Sequence, residues 1–365
     1  MIFKQNSIKV LFIVRATLYT SPGGDTTQIL KTAENLRKLG VEVDIELTTT
    51  TVDVSIYDIV HFFNIIRPSD ILIHFKKAKR KVISTIFVDY SEAEKNSSSR
   101  FRSVLIKYFD QFKIEYFKRI VKAILGKEKL VSKEYLLKGH FKSIEYLYKN
   151  ADAILPNSFS ELNRIQSIFG TTNSICEKVV NGIEIDNSID ANIDFENAII
   201  CVARVEDIKN QLNLIKAVNQ LEYPLYIIGN PAINTSSYYN KCKEIAGKNI
   251  KFINNLNQKE VFSIMKAAKV HVLPSWFETT GLVSLEAAFY GCNIVITNKG
   301  DQKEYFENYA HYCIPNDVES IKNAIVKAYN STFNNDFKHV IETNYTWYNA
   351  AQQTKAVYLK LMNSI

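Results

Sequence analysis

The sequence predicts an α/β protein of two domains, each built on a parallel sheet, and three observations predict it. The chain has 365 residues, more than one hydrophobic core ordinarily serves. Short apolar runs alternate with amphipathic helical stretches along both halves, the pattern that right-handed βαβ crossovers produce. Hydrophobic residues make up 46% and charged residues 23% of the chain, a balance that excludes a disordered or fibrous protein.

The elements follow in order. IKVLFIVR (8–15) is apolar enough for a strand buried on both faces. The apolar run at the start is too short to span a bilayer and has no small-residue cleavage site, so it reads as this strand rather than a signal peptide. A loop with Ser21, Pro22, Gly23 and Gly24 comes next, then Asp25 as a helix N-cap, a helix, and Gly40 as its C-cap before VEVDIEL resumes a strand. Further strands are expected at IVHFFN (59–64) and KVISTIFV (81–88), with a basic helix between them, and at ADAILPN (151–157). In the second half the strands are AIICVAR, PLYIIGN, IKFIN, KVHVLPS and NIVITN, separated by helices such as NQLNLIKAVNQL and VFSIMKAAK. Turn and polar residues cluster near 182 to 195, so the expected domains are 1–187 and 188–345, with a last helix, 346–365, packing back on the first.

Cysteine and histidine usage narrows the chemistry. Cys176, Cys201, Cys242, Cys292 and Cys313 are odd in number and form no CxxC pair, as expected of small core residues in a reducing, cytoplasmic compartment. The six histidines form neither HExxH nor a Cys/His cluster, so no metal site is expected.

The most informative segment is PSWFETTGLVSLEAAFYGCNIVIT (274–297), a strand end, a loop, a helix from Leu282 to about Tyr290, and another strand. Gly281 stands at the helix entrance, where a missing side chain lets a phosphate approach free backbone N–H groups. Glu286 is the single charged residue of LVSLEAAFYG. A helix apolar nearly all round is buried, and a buried carboxylate needs partners. Those partners are either a nearby Lys or Arg, or the two hydroxyls of a ribose. Glu278, in the loop, is either an exposed acid or a ligand for hydroxyls of a transferred sugar.

In CVARVEDIKNQL, Arg204 stands at a strand's carboxyl end and Lys209 at the start of the next helix, both facing the crevice where parallel sheets bind ligands. A cation at a helix N-terminus opposes the dipole, which makes sense when a diphosphate lies there. The plainer alternative is ion pairing with Glu206 or Asp207.

Together these segments resemble the donor site of the retaining, GT-B-fold glycosyltransferases of family 4. The family's Glu–x7–Glu motif is matched by Glu278 and Glu286, and its upstream Arg–x4–Lys by Arg204 and Lys209. YIIGN, ADAILPNS, VVNGIE and the terminal YTWYNAAQQTKAVYLKLM extend the likeness over most of the chain, most strongly in the second half. The resemblance implies two Rossmann-like domains facing a cleft, the last helix crossing back to the first. It implies that Arg204 and Lys209 bind the donor diphosphate and stabilise the leaving charge, assisted by amides near Thr280, Gly281 and Leu282. Glu286 then holds the ribose and Glu278 the donor sugar, while Gly23 and Gly24 match the family's loop after the first strand. One departure stands out. Many relatives carry a histidine after the strand matching KVISTIFV, where this chain reads Val88, Asp89, Tyr90. Asp89 is the candidate for that place, stabilising cationic character at the anomeric carbon, or else it is a helix N-cap or loop acid.

The implied reaction moves a hexose-type sugar from a nucleotide diphosphate sugar, UDP-sugar foremost, to a hydroxyl of a glycan or lipid-linked acceptor with retention. No metal or other cofactor is needed, since the cations neutralise the diphosphate, and surface polysaccharide or glycoconjugate synthesis is the expected setting. Net charge is +7, yet 95–149 alone holds 14 Lys/Arg against 5 Asp/Glu. Phe101, Leu105, Tyr108, Phe109, Phe112, Tyr116, Ile120 and Ile124 recur there at three- and four-residue steps. This is either a basic amphipathic surface for the inner face of an anionic membrane, or an acceptor-domain insertion packed on its own core. Nucleic-acid binding is not expected, because no RRM, KH or zinc pattern is present. A sugar-nucleotide epimerase or phosphorylase, and a non-catalytic nucleotide-sugar-binding subunit, are the competing readings. A nicotinamide dehydrogenase is disfavoured because no GxGxxG follows a strand.

Overall fold

A computed structural model of the chain describes residues 7–88, 111–124, 132–232 and 235–363. It has two compact units, one built from the described residues up to Phe87, a middle segment of those from Gln111 to Gly182, and Trp347–Asn363, the other from Ile183–Thr346 together with Val88.

The first unit contains β1 (Lys9–Val14), α1 (Gly24–Lys38), β2 (Glu42–Leu47), β3 (Ile59–Phe63), α2 (Pro68–Phe75) and β4 (Lys81–Ser84). There follow α3 (Gln111–Ile124), α4 (Lys133–Asn150), β5 (Ala153–Leu155), α5 (Phe159–Phe169) and β6 (Ile175–Cys176). Its strands form one parallel sheet in the order β2-β1-β3-β4-β5-β6. The second unit holds β7 (Ile199–Val202), α6 (Gln211–Val218), β8 (Leu225–Ile228), α7 (Ser236–Ile245), β9 (Ile250–Ile253), α8 (Gln258–Ala267) and β10 (Val270–Leu273). It continues with α9 (Leu282–Phe289), β11 (Asn293–Thr297), α10 (Gln302–Phe306), β12 (Ala310–Cys313), α11 (Val318–Tyr329) and α12 (Asn335–Asn344). Its sheet is also parallel, in the order β12-β11-β10-β7-β8-β9. The last helix, α13 (Trp347–Asn363), belongs to the first unit.

Local sequence explains these elements. Val10 to Val14 are all buried, because α1 and its neighbours cover both faces of a parallel sheet. Gly40, at φ 81°, closes α1. Its N–H donates to Arg37 O and the Val41 N–H to Leu36 O, each at 3.0 Å, a Schellman closure that requires the left-handed region. The N-cap of α1 is Gly23 rather than Asp25. Asp25 lies in the first turn because Arg15 holds its carboxylate, Nε at 2.6 Å and Nη2 at 3.0 Å.

The C-terminal helix is tied to the centre of the first sheet. Tyr358 Oη and Ser84 Oγ lie 2.7 and 2.9 Å from the two ring nitrogens of His61. Complete burial pushes His61 down to about 3, so the ring is neutral and serves as a hydrogen-bonded post. Lys355 Nζ donates to Leu39 O at 2.7 Å, and α13 packs against α1.

Three further expectations need adjustment. The first unit's middle segment ends at Gly182 rather than 187. Ile183 N donates to Tyr345 O at 2.9 Å and Ile183 bridges Thr346, which draws the following residues into the second unit. The helix between β3 and β4 is buried almost throughout, and the lysines of KKAKRK follow it instead of forming it. The described apolar residues of 95–149 do not share one face. Phe112 and Tyr116 pack inward, on Phe141, Phe169 and Tyr135, whereas Ile124 is 78% exposed. Phe117, Val121 and Ile124, at i, i+4 and i+7, make a second, outward ridge on α3. Phe101, Leu105, Tyr108 and Phe109 lie outside the described residues. Among the described residues no helix is long and apolar enough to cross a membrane.

Candidate active site

In the second unit the strand order reverses beside β7, which has β8 on one side and β10 on the other. Ligands of open parallel sheets bind outside the strands' carboxyl ends at such a point. Arg204 and Lys209 follow β7, and Glu278 follows β10. The fold therefore brings together two short sequence motifs that are far apart in the chain.

The β7 loop is built to present its cations. Gln211 Nε2 donates to Arg204 O at 2.9 Å, fixing that backbone. Lys209 ends a single 3-10 turn, Asp207–Lys209, instead of opening α6, because Asn210 interposes at φ 58°. Asn210 is buried, and its side-chain amide donates to Pro274 O at 3.0 Å and Pro315 O at 2.7 Å. Trp276 N also donates to Ile208 O at 2.9 Å. These bonds lock the loops after β7, β10 and β12 into one platform.

On that platform Lys209 Nζ pairs with Glu278 Oε1, and Ser275 Oγ donates to the same oxygen at 2.9 Å. Arg204 does pair with Glu206, Nη2 to Oε1 at 3.1 Å, but its side chain is 54% exposed, so the pair holds it weakly. Arg204, Lys209 and Val283 line a recess of about 320 Å³. Its far wall is Gly229, Asn230, Asn255 and Leu256. Gly229 has φ 142°, and a Cβ there would lie 2.1 Å from Ala203 O. Only glycine lets the ends of β7 and β8 approach this closely.

The N-terminus of α9 completes the rim. Gly281 is its N-cap at φ 72° and ψ 56°, in the left-handed region. Ser284 N and Leu285 N both donate to Gly281 O, so the amides of Leu282 and Val283 precede the first intrahelical donor and point outward. Thr280 beside them is buried. Glu286 lies one turn on, on the face shared by Leu282 and Val283. It keeps part of its surface open, while the surrounding protein, with Glu184 adding like charge, pushes its carboxyl up to about 8. Among the described residues no Lys or Arg forms an ion pair with Glu286.

Gly23 and Gly24 lie in the first unit, at the carboxyl end of β1. Neither has a positive φ, and a Cβ at Gly24 would meet nothing within 4 Å. Backbone conformation therefore does not demand glycine at this turn. Asp89 lies outside the described residues. Among the described residues no three His, Cys, Asp or Glu side chains gather as metal ligands.

Sequence reasoning missed Asn210, Gln302 and Glu161. Glu161 is fully buried. Its Oε1 accepts from Thr85 Oγ1 at 2.5 Å and Phe87 N at 2.6 Å, and its Oε2 accepts from Asn157 N at 2.7 Å. Arg164 Nη2 holds Phe87 O at 3.0 Å. The loop after β4 is thus gripped from α5, across Ile86 at φ 46°, a strained value for a β-branched residue. The available signal was Ser158-x-x-Glu161, the spacing of a capping box.

Residues 185–347 match the family described as Glycosyl transferases group 1. A glycogen synthase from Clostridium perfringens is 24% identical over 281 residues, 74% of this chain and 52% of that protein. The match thus spans about half of that relative's length. Among solved structures, a sucrose-phosphate synthase from Thermosynechococcus elongatus superposes with a TM-score of 0.74 at 13% identity. It covers 98% of this chain and 100% of the other. HepE of Anabaena, in complex with UDP-glucose, gives 0.69 at 14% identity over 98% and 100%. These likenesses establish the GT-B fold of two Rossmann-like domains. The family match falls on the chain's second unit.

Proposed function

We propose that the chain is a retaining glycosyltransferase that moves a hexose-type sugar from a UDP-sugar to a hydroxyl acceptor. The observation that carries this reading is the meeting of Arg204, Lys209 and the α9 amides around one recess at the β7/β10 switch point. Three sources of positive potential at one place fit a diphosphate, whose growing charge in the transition state they stabilise. They supply the charge a metal would otherwise bring, so the reaction is metal-independent. Glu286, once ionised, accepts from the ribose diol, and Glu278 accepts from the transferred sugar. The second unit is the donor domain and the first the acceptor domain, with Gly23 and Gly24 leaving room for donor or acceptor. Asp89 serves as the acid near the anomeric carbon.

The test is direct. Purified protein is titrated with UDP, GDP and ADP sugars, and the preferred donor is then offered with glycan and lipid-linked acceptors in EDTA. Transfer with retained anomeric configuration supports the reading. Release of epimerised free donor, or binding without transfer to any acceptor, counts against it.

The outward ridge of Phe117, Val121 and Ile124 lies among Lys113, Lys118 and Lys122 on α3. This arrangement supports an enzyme working on the inner face of an anionic membrane, in surface polysaccharide or glycoconjugate synthesis. Cosedimentation with anionic but not with neutral liposomes is expected; equal recovery with both would defeat it.

A further inference from the structure

Gln302 is 1% exposed. Both its side-chain atoms, Nε2 and Oε1, are buried with no hydrogen-bond partner among the described residues. An amide left this way is costly and rare, and it calls for an explanation. Its position supplies one. Gln302 packs on Gly281, the N-cap of α9, so closely that a Cβ on that glycine would lie 2.1 Å from Nε2.

The segment carrying Gln302 is also zipped to the loop of Glu278. Asp301 N donates to Glu278 O at 2.8 Å, Gly300 bridges Glu278, and a Cβ at Gly300 would lie 1.9 Å from that same oxygen. Glu278, Gly281 and Gln302 are thereby held in one fixed register at the α9 N-terminus.

The chemistry of the unpartnered amide selects its ligand. A phosphate only accepts hydrogen bonds, so it suits Nε2 and repels Oε1. A sugar hydroxyl both donates and accepts, and two neighbouring hydroxyls suit both ends of one carboxamide. We infer that Gln302 recognises the transferred sugar, its carboxamide pairing with hydroxyls beside Glu278 while Lys209 and the helix amides take the diphosphate. This deepens the donor-site reading proposed above and rests on it.

The experiment compares the affinities of UDP, UDP-glucose, UDP-galactose and UDP-N-acetylglucosamine for the full chain and for Gln302→Leu. UDP affinity is expected to stay within about twofold, while the best UDP-sugar weakens at least about tenfold. Gln302→Glu, which keeps the shape and loses the donor, is expected to weaken the same UDP-sugar and serves if the leucine variant misfolds. Loss of UDP and UDP-sugar in parallel overturns the inference. So does a change in Tm alone, the result expected if a buried water satisfies the amide. Wild-type protein that binds UDP but none of the sugars more tightly overturns it too, leaving the nucleotide site intact. Wild-type protein that binds no nucleotide at all removes the donor-site reading and this inference together.

Discussion

Lys209 and Glu278, 69 residues apart in the chain, form an ion pair across the β7/β10 switch point. Each is matched to a different part of the proposed donor, so the pair keeps both satisfied until the donor separates their tasks. Lys209→Ala is expected to weaken UDP binding at least about tenfold, since a partly buried cation on a diphosphate is lost. Glu278→Gln should leave UDP binding within about threefold yet lower kcat for transfer roughly a hundredfold. Titration and initial rates check both, and equal loss of UDP affinity in the two variants would refute this division of roles.

Glu286 offers a pH test. Burial and Glu184 push its carboxyl up to about 8, so between its ordinary range and that value the folded chain holds a proton the unfolded chain releases. Stability from this group therefore falls as pH rises from about 4.5 to about 8. Glu286→Gln removes the dependence. The variant is expected to melt a few degrees above wild type at pH 8.5 and equally at pH 4.5, while losing nucleotide affinity at least about tenfold. Calorimetric melts across that range decide it; a variant less stable than wild type at pH 8.5 would contradict the desolvation argument.

Two glycines separate folding from ligand access. Gly229→Ala forces a Cβ to 2.1 Å from Ala203 O and should cost about 2–4 kcal/mol. Gly24→Ala meets nothing within 4 Å, so stability should change by less than about 0.5 kcal/mol. Any loss of transfer in Gly24→Ala then reports a bound ligand passing close to that backbone. Denaturant melts of both variants, paired with transfer rates, separate the cases.

Glu161→Gln tests the grip on the loop after β4. The amide would turn a donor toward Asn157 N–H or Phe87 N–H, leaving at least one buried group unsatisfied, at about 1–3 kcal/mol. A lower Tm with reduced kcat and unchanged UDP affinity is the expected outcome. An unaltered Tm would show that the carboxylate is not needed there.

Much of this was legible in the residues. Continuous apolar runs such as KVLFIV mark strands buried on both faces, because a parallel sheet covered by helices exposes neither. Glu286 was legible because a charge in an otherwise apolar helix stands out, as were Arg204 and Lys209 through their placement after a strand. Asp25 was misplaced as a cap because nothing local says that Arg15 will hold its carboxylate. Gln302 was invisible, since a glutamine in a polar loop looks solvated until packing against Gly281 buries it.

The sequence by itself determined the alternation of strand and helix, the two-unit division and which residues carry charge at strand ends, because periodicity and propensity act over a few residues. The tertiary structure alone decided which of those residues meet. The strand order places β10 beside β7, so Lys209 pairs with Glu278, Glu286 goes without a cation among the described residues, and Gln302 packs beside Gly281. Such contacts are set by sheet order and close packing, which no local stretch of the chain encodes.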